Sequence, residues 1–197
     1  MDDNRIGVTP AVLEAILQDS RAIGFGMASE AKTGSLLRAL AASKPAGRIL
    51  ELGTGTGVGT AWLLAGMDAD SRLDSVDNDP AAQAIAKRHL GHDPRVTFHL
   101  ADGAEFLSRS PSLAFDLVYA DTWAGKFSDL DVALGLVRVG GFYVVDDLLP
   151  QPNWPEGHAL KIPPLIDELE SRSEFAAVKL AWASGLLVLV RVFRPAE

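Results

Sequence analysis

Arg48-Ile49-Leu50-Glu51-Leu52-Gly53-Thr54-Gly55-Thr56-Gly57-Val58-Gly59 is the stretch that decides the fold. It begins as a short, mostly apolar run, which is typical of a strand in a buried parallel sheet. Four glycines then alternate with other residues, and a helix-like apolar pattern follows in Thr60-Ala61-Trp62-Leu63-Leu64. A strand, a glycine turn and a helix in this order form the first half of a βαβ unit. The stretch therefore predicts an α/β protein built on a parallel sheet.

The glycine turn is predicted to bind a ligand. Without Cβ atoms, its backbone can adopt positive φ angles and lets a ligand approach the peptide plane closely. The helix that begins near Gly57 would also direct unpaired N–H groups toward that ligand. The dinucleotide fingerprint G-x-G-x-x-G, started at Gly53, does not fit, because it requires a glycine where the sequence has Val58.

An acidic residue lies where a ribose would bind. Asp77 ends the next candidate strand, Leu73 to Asp77, and a carboxylate there can accept hydrogen bonds from both ribose hydroxyls. Glu51, at the end of the preceding strand, is a second acidic residue at the same sheet edge. Together they favour a nucleoside ligand, and the alternative is a plain glycine-rich turn with an unrelated Asp behind it.

The composition excludes several classes of protein. The chain has 197 residues, 48% of them hydrophobic, a formal net charge of −8 and no cysteine. This length predicts a single domain, with residues 1–45 as an N-terminal helical cap and residues 46–197 as the α/β core. The negative charge disfavours nucleic acid and anionic membranes as partners. Neither a signal-peptide pattern nor an apolar run of about 20 residues is present, so a cytoplasmic location is expected.

Helices and strands are predicted to alternate along most of the chain. Thr9-Pro10 has the pattern of a helix start, so a first helix is expected from Pro10 and a second after Ser29. Further strands are expected near 72–77, 96–100, 115–120 and 142–145, with helices near 80–89, 103–109 and 128–137. The apolar runs 175–182 and 186–193 predict an antiparallel hairpin. This order predicts a mostly parallel sheet with helices on both faces.

Carboxylates gather at the edge of the sheet where a ligand would bind, because ligands of open parallel sheets lie at the carboxyl ends of the strands. The acidic residues at these strand ends are Glu51, Asp77, Asp102, Asp121, Asp146 and Asp147. Asp121, Asp146 and Asp147 could converge on a divalent cation such as Mg²⁺ or Ca²⁺, which prefers oxygen ligands. Helix N-caps and solvated carboxylates are the alternative interpretation.

Loops beyond the strands supply three further candidates. Trp123 could lie against a flat heterocycle or pack in the core. Lys126, in the loop after the fourth strand, and His158, in a proline-rich loop after the fifth, are candidate proton acceptors. A surface lysine and an inert histidine are the alternatives for these two residues.

Four motifs resemble class I S-adenosylmethionine (SAM)-dependent methyltransferases, and within them the small O-methyltransferases similar to catechol and caffeoyl-CoA O-methyltransferases. The motifs are residues 51–57, 76–80, 115–123 and 140–147, within a resemblance that covers about 27–154. The resemblance implies a Rossmann-like fold, with a seven-stranded, mostly parallel sheet that ends in an antiparallel hairpin. It also implies SAM as the cofactor and a small molecule with a hydroxyl group as the methyl acceptor. Because this family often forms dimers, a homodimer is expected.

The resemblance also implies roles for individual residues. The turn from Gly53 to Gly59 would wrap the methionine part of SAM, and Asp77 would bind the ribose. Asp102 and Gly103 would lie at the edge of the adenine, with Trp123 near it. The predicted cofactor-binding residues are Glu51, Gly53, Thr54, Gly55, Gly57, Asp77, Asn78, Asp102, Gly103, Asp121 and Trp123, and the predicted catalytic residues are Asp121 and Lys126. The loops 24–27 and 148–158 would form the acceptor pocket.

Two positions depart from the pattern of the metal-dependent members. Those members hold the ion with Asp, Asp and Asn, and a lysine three residues after the first Asp serves as the base. Asp121 and Asp146 occupy the two Asp positions here, but Asp147 stands in place of Asn and Ala124 in place of the lysine. Lys126 could replace that lysine only if the loop has a different shape, so the use of a metal and the identity of the base stay open.

Two other functions share parts of this pattern. A non-catalytic SAM-binding protein is suggested by Ala124 at the position of the base. A nicotinamide-dependent oxidoreductase would share the glycine turn and the ribose carboxylate, but the short-chain type requires Tyr-x-x-x-Lys. Tyr119 is followed at that spacing by Trp123, and Tyr143 by Asp147. Methyl transfer to an oxygen of a small molecule is therefore the leading hypothesis.

Overall fold

The computed structural model describes residues 2–3, 6–110 and 114–193. Its strands are β1 (Arg48–Leu52), β2 (Arg72–Asp77), β3 (Val96–Leu100), β4 (Phe115–Ala120), β5 (Val137–Val145), β6 (Phe175–Leu180) and β7 (Leu186–Arg191). Its α-helices are α1 (Leu13–Ala22), α2 (Ala31–Ala42), α3 (Val58–Gly66), α4 (Pro80–Leu90), α5 (Gly103–Ser108), α6 (Leu130–Gly135) and α7 (Ile162–Ser171). A short 3₁₀ helix, His158–Lys161, precedes α7.

The strands form one seven-stranded sheet in the order β3-β2-β1-β4-β5-β7-β6. Strands β1 to β5 pair in parallel, and β7 runs antiparallel to its neighbours β5 and β6. This is the predicted fold class, with its antiparallel C-terminal hairpin. Strand β1 pairs with β2 on one side and with β4 on the other, so the order of the strands reverses direction at β1. The carboxyl ends of β1 and β4 therefore flank the crevice in which ligands of such sheets bind.

Side chains alternate between two apolar clusters, one on each face of the sheet. On β1, Ile49 packs with residues of α1 to α4, whereas Leu50 packs with residues of α5 to α7. The two-residue period of a strand explains this alternation. The N-terminal helices are held by close packing, because α2 approaches the buried Trp62 of α3 at Gly34, where a Cβ atom would lie 2.2 Å from the indole ring.

Several element boundaries differ from their predictions. Helix α1 begins at Leu13 instead of Pro10, because a turn closed by the Leu13 N–H and the Pro10 carbonyl precedes it. Helix α6 begins at Leu130 because Asp129 has a φ of +54°, which is outside the helical range. Strand β5 begins five residues early, and its register against β4 shifts between Phe115 and Leu117.

In the described part of the chain, no helix combines the length and the apolar character that crossing a membrane requires.

Candidate active site

A cavity of about 500 Å³ opens at the carboxyl ends of β1 and β4. Its walls come from the glycine turn after β1, the end of β2, and the loops that follow β4 and β5, together with residues 25–30 before α2. A second cavity of about 300 Å³ adjoins it beyond Asp77 and Trp123. The two cavities share Gly53, Asp77, Asn78, Thr122 and Trp123. A ligand with two parts could therefore extend across both cavities.

The glycine turn has the backbone that its sequence predicted. Gly53, Gly55 and Gly57 have φ angles of +105°, +50° and +94°, which side-chain-bearing residues rarely adopt. The Asp77 carboxylate holds the turn, since its Oδ2 accepts a hydrogen bond from the Gly55 N–H at 2.7 Å and its Oδ1 accepts one from the Asp79 N–H at 2.8 Å. Asp77 thus orients the turn while it faces both cavities.

Two of the predicted cofactor-binding residues line neither cavity. A Cβ on Gly57 would lie 2.8 Å from the Cβ of Ala86 in α4, so this glycine permits helix packing. Glu51 is fully buried below the turn. The direct ligand contact predicted for Gly57 and Glu51 is not supported by this geometry, because both residues face the protein interior.

Glu51 joins β1 to its neighbours through hydroxyl donors. Its Oε2 accepts hydrogen bonds from Ser75 Oγ at 2.6 Å and from Thr60 Oγ1 at 2.5 Å, while Oε1 is buried and has no hydrogen-bond partner among the described residues. Burial raises the pKa of Glu51 to about 8, although the two hydroxyl hydrogen bonds oppose this shift. Thr54 extends the same buried network, because its hydroxyl lies 2.6 Å from Ser75 Oγ.

The smaller cavity holds the residues predicted for the adenine. Asp102 caps α5 and accepts hydrogen bonds from the N–H groups of Ala104 and Glu105 at 2.9 and 3.2 Å, so the N-cap interpretation also applies to it. Gly103 faces the loop after β4, where a Cβ would lie 2.7 Å from the Cβ of Ala124. The position at which metal-dependent methyltransferases carry their lysine therefore contacts the smaller cavity.

The loop after β4 turns Lys126 into the larger cavity. Gly125 has a φ of +83°, and the hydroxyl of the buried Tyr143 donates a hydrogen bond to its carbonyl. A Cβ at this position would lie 2.7 Å from that hydroxyl oxygen, so the tight turn requires glycine. Beyond the turn, the Lys126 side chain is only 6% exposed, and its Nζ lies 3.7 Å from Asp121 Oδ1. The loop thus directs Lys126 into the cavity that Asp121 faces, and a role for Lys126 stays a prediction.

Tyr119 connects two carboxylates at the base of the larger cavity. Its hydroxyl lies 2.7 Å from Asp146 Oδ2, 3.1 Å from Asp121 Oδ2 and 3.1 Å from Ser29 Oγ. Asp146 Oδ1 accepts hydrogen bonds from the Asp147 N–H at 2.7 Å and from the Ser184 hydroxyl. Burial and the charge of Asp146 raise the pKa of Asp121 well above its usual range, although Lys126 opposes the shift.

Aromatic side chains surround His158 at the outer end of this cavity. Its ring centroid lies 4.5 Å from that of Trp154, 5.3 Å from that of Phe127 and 6.0 Å from that of Trp123. Burial lowers the pKa of His158, and this favours the neutral imidazole. Asp147 Oδ2 accepts a hydrogen bond from Trp154 Nε1 at 2.7 Å. These rings offer apolar walls to a flat ligand.

Two loops meet above the cavity, and their predicted role as the acceptor pocket stays a prediction. The Phe25 ring lies against the glycine turn, where a Cβ on Gly55 would be 2.9 Å from Phe25 Cζ. Asn153 Nδ2 donates a hydrogen bond to the Gly26 carbonyl at 3.2 Å and so joins the two loops. Residues 25–28 and 151–155 can therefore limit the access of water to the cavity.

The predicted cation site at Asp121, Asp146 and Asp147 is not supported by the structure. Among the described residues, no group of three or more His, Cys, Asp or Glu side chains has the arrangement to hold a metal ion. The three carboxylates face the same cavity, but protein donors occupy both oxygens of Asp146 and the Oδ2 atoms of Asp121 and Asp147. The Lys126 ammonium lies beside Asp121 Oδ1. The present residues therefore do not fit a divalent cation.

Sequence reasoning missed two contributors to the site. Tyr119 could have been found, because it lies two residues before Asp121 and alternate residues of a strand point to the same face. Ser184 gave no signal, because it belongs to the turn between β6 and β7, and only the tertiary structure brings that turn to Asp146.

The fold and the crevice define a class of protein, the Rossmann-like α/β methyltransferases. Residues 50–148 match a family described as a methyltransferase domain. A Mycolicibacterium vanbaalenii protein named "Putative O-methyltransferase" is 36% identical over 140 residues, which are 68% of this chain and 62% of that protein. The chain belongs to this methyltransferase family, and it spans less than two thirds of the length of that relative.

Solved structures agree with this assignment at the level of the fold. The O-methyltransferase TomG from Streptomyces achromogenes, solved in complex with SAM, has a TM-score of 0.82 at 22% identity over 97% of this chain and 94% of that chain. An O-methyltransferase from Bacillus cereus, solved in complex with SAH, has a TM-score of 0.82 at 19% identity, with 96% and 94% of the two chains covered. The resemblance to class I methyltransferases is confirmed.

Proposed function

We propose that this protein transfers the methyl group of SAM to a hydroxyl oxygen of a small molecule. The observation that carries the proposal is the continuous crevice at β1 and β4, with the glycine turn and Asp77 at one end and Asp121 and Lys126 at the other. Such a crevice can hold a nucleoside-containing cofactor and an acceptor side by side. The family relatives named O-methyltransferases support the choice of oxygen as the methylated atom.

The residues present fit SAM. In this proposal the Asp77 carboxylate binds the ribose hydroxyls, and the smaller cavity, edged by Asp102, Gly103 and Trp123, accommodates the adenine. The positive φ angles of Gly53 and Gly55 let the methionine part approach the backbone closely. Bound SAM supplies an activated methyl group on a sulfonium.

The chain's own residues align and deprotonate the acceptor. The proposed acceptor hydroxyl contacts Asp121 Oδ1 and Lys126 Nζ from the cavity side, because these two atoms are only 3.7 Å apart and both face the cavity. Asp121 Oδ1 accepts the proton, and Lys126 Nζ stabilises the negative charge that develops on the acceptor oxygen. Trp154 and Phe127 hold the flat body of the acceptor, and the loop around Phe25 excludes water.

The alternative functions receive less support. Ala124 suggested a non-catalytic SAM-binding protein, but Lys126 brings an ammonium into the cavity from two residues later. Family membership does not support a nicotinamide-dependent oxidoreductase. The homodimer stays a prediction, and sedimentation velocity would test it.

Calorimetry with SAM, followed by methyl-transfer assays on a panel of phenols and other hydroxyl compounds, tests the proposal. We expect SAM to bind and a methylated product to form with at least one flat aromatic acceptor. Asp121→Asn should retain SAM binding and lose methyl transfer, because an amide cannot serve as the base that removes the proton of the acceptor hydroxyl. The proposal would be wrong if the folded protein did not bind SAM.

A further inference from the structure

The Lys126 ammonium lies among the three carboxylates that face the larger cavity. Its Nζ donates a hydrogen bond to the main-chain carbonyl of Asp146 at 2.8 Å and lies 3.7 Å from Asp121 Oδ1. The side chain is 6% exposed, so these contacts are enclosed by protein. The chain therefore brings its own positive charge to the acidic end of the cavity.

The carboxylates are held in place by protein donors. Tyr119 donates a hydrogen bond to Asp146 Oδ2, while the Ser184 hydroxyl and the Asp147 N–H occupy Asp146 Oδ1. Trp154 occupies Asp147 Oδ2. A carboxylate oxygen that accepts such hydrogen bonds has fewer lone pairs free for a cation. Asp146, which is 2% exposed, is thus a structural anchor of the site.

We infer that Lys126 takes the place of a divalent cation in this protein, and that methyl transfer proceeds without a metal ion. The inference rests on the proposed function and assigns Lys126 Nζ as the positive group that contacts the acceptor oxygen. It follows from the position of the ammonium between Asp121 and the Asp146 carbonyl.

Charge and geometry both favour this assignment. A divalent cation requires about six or more oxygen ligands, and Mg²⁺ requires a nearly octahedral arrangement. A cation beside Asp121 would also meet the Lys126 ammonium, and the two positive charges would repel each other in this enclosed site. An ammonium makes no such demand on geometry, because it acts as a point charge with three rotatable donors. It can bind one acceptor oxygen while it keeps its contact with Asp146.

A tight turn at Gly125 positions Lys126. Gly125 and the Tyr143 hydroxyl fix the chain so that Ala124 contacts the smaller cavity and Lys126 enters the larger one. A lysine at position 124 would face Gly103 instead. Because the lysine stands at position 126 instead of 124, its positive charge lies at the acidic end of the larger cavity and not at the wall of the smaller one.

A titration of chelator-treated protein with Mn²⁺ tests the inference. Electron paramagnetic resonance measures the concentration of free Mn²⁺ at each point. We expect no saturable binding in the millimolar range for the wild type or for Lys179→Met, a control in which a surface lysine is removed. Lys126→Met should gain a saturable site, because it removes the repelling charge and exposes the Asp146 carbonyl and Asp121 Oδ1. Among the described residues, Lys126 is the one positive group beside Asp121 Oδ1. Lys126→Gln provides a second variant if Lys126→Met does not fold. Saturable binding by the wild type, or failure of both folded variants to gain a site, would overturn the inference.

Methyl-transfer assays on the same samples provide a second readout. Wild-type activity should be the same in excess EDTA and in added Mg²⁺. Lys126→Met should lose about a hundredfold in kcat with SAM affinity retained, and Lys126→Arg should recover part of the loss. If wild-type transfer were lost in EDTA and restored by Mg²⁺, the metal-free role of Lys126 would be refuted, while the proposed methyltransferase function would stand. A failure of SAM to bind, measured by calorimetry, would instead refute the proposed function.

Discussion

Replacing Glu51 with glutamine should change how the stability of the protein depends on pH. Burial raises the pKa of Glu51 from 4.5 to about 8 in the folded state. Between these values the unfolded chain ionises the carboxyl while the folded chain keeps it protonated. Unfolding then releases a proton, so the free energy of unfolding falls as pH rises.

The size of this effect follows from the two pKa values. The window of about 3.5 pH units, at about 1.4 kcal/mol per unit, corresponds to a loss of roughly 5 kcal/mol between pH 4.5 and pH 8. The amide of Glu51→Gln does not titrate, so this variant should lose much less stability over the same window. The stability of Glu51→Gln should still fall somewhat as pH rises. The folded state also raises the pKa of the Asp121 carboxyl, and this group contributes to the pH dependence in the same direction.

Urea denaturation, followed by tryptophan fluorescence at several pH values from about 5 to about 8.5, measures the effect. Any constant cost of placing an amide at the unpaired Oε1 position cancels in the comparison, because only the slopes are compared. Glu105→Gln, in a half-exposed side chain on α5, is the matched control and should keep the wild-type slope. Parallel curves for Glu51→Gln and the wild type would refute the assignment of a buried, protonated Glu51.

Three further variants test other parts of the molecule. Asp77→Ala should weaken SAM binding by about 1 to 3 kcal/mol in calorimetry, because ribose hydroxyls lose a charged acceptor, whereas Asp70→Ala on the surface should have no effect. Asp147→Asn should raise the free energy of unfolding near pH 8, because burial and the charge of Asp146 raise the pKa of the Asp147 carboxyl and so disfavour its charged form, and a lower urea midpoint would contradict this. Gly34→Ala should destabilise the protein by about 1 to 3 kcal/mol, because its Cβ would meet Trp62. Gly135→Ala should be nearly neutral in thermal unfolding, because no atom of the described residues, apart from its own helix and its chain neighbours, lies within 4 Å of the added Cβ.

The sequence by itself determined the fold and the position of the crevice. The apolar run 48–52, the glycine turn and the following helix pattern specify a βαβ unit, because strand and helix periods differ and glycine is needed for positive φ. Asp77 was located by the same local argument, as the last residue of the next strand. The hairpin formed by β6 and β7 was also predicted, since two apolar runs flank Ala183-Ser184-Gly185. All these features depend on residues that are close in sequence.

Tertiary structure alone decided the chemistry at the acidic end of the cavity. Three carboxylates at neighbouring strand ends predicted a cation site, but the Lys126 ammonium and hydrogen-bond donors such as the Ser184 hydroxyl lie against them. Ser184 reaches Asp146 only because β7 pairs with β5, and Lys126 enters the cavity only because Tyr143 holds the Gly125 turn. The distances between these groups are set by packing across the sheet, and sequence periodicity carries no information about such long-range contacts.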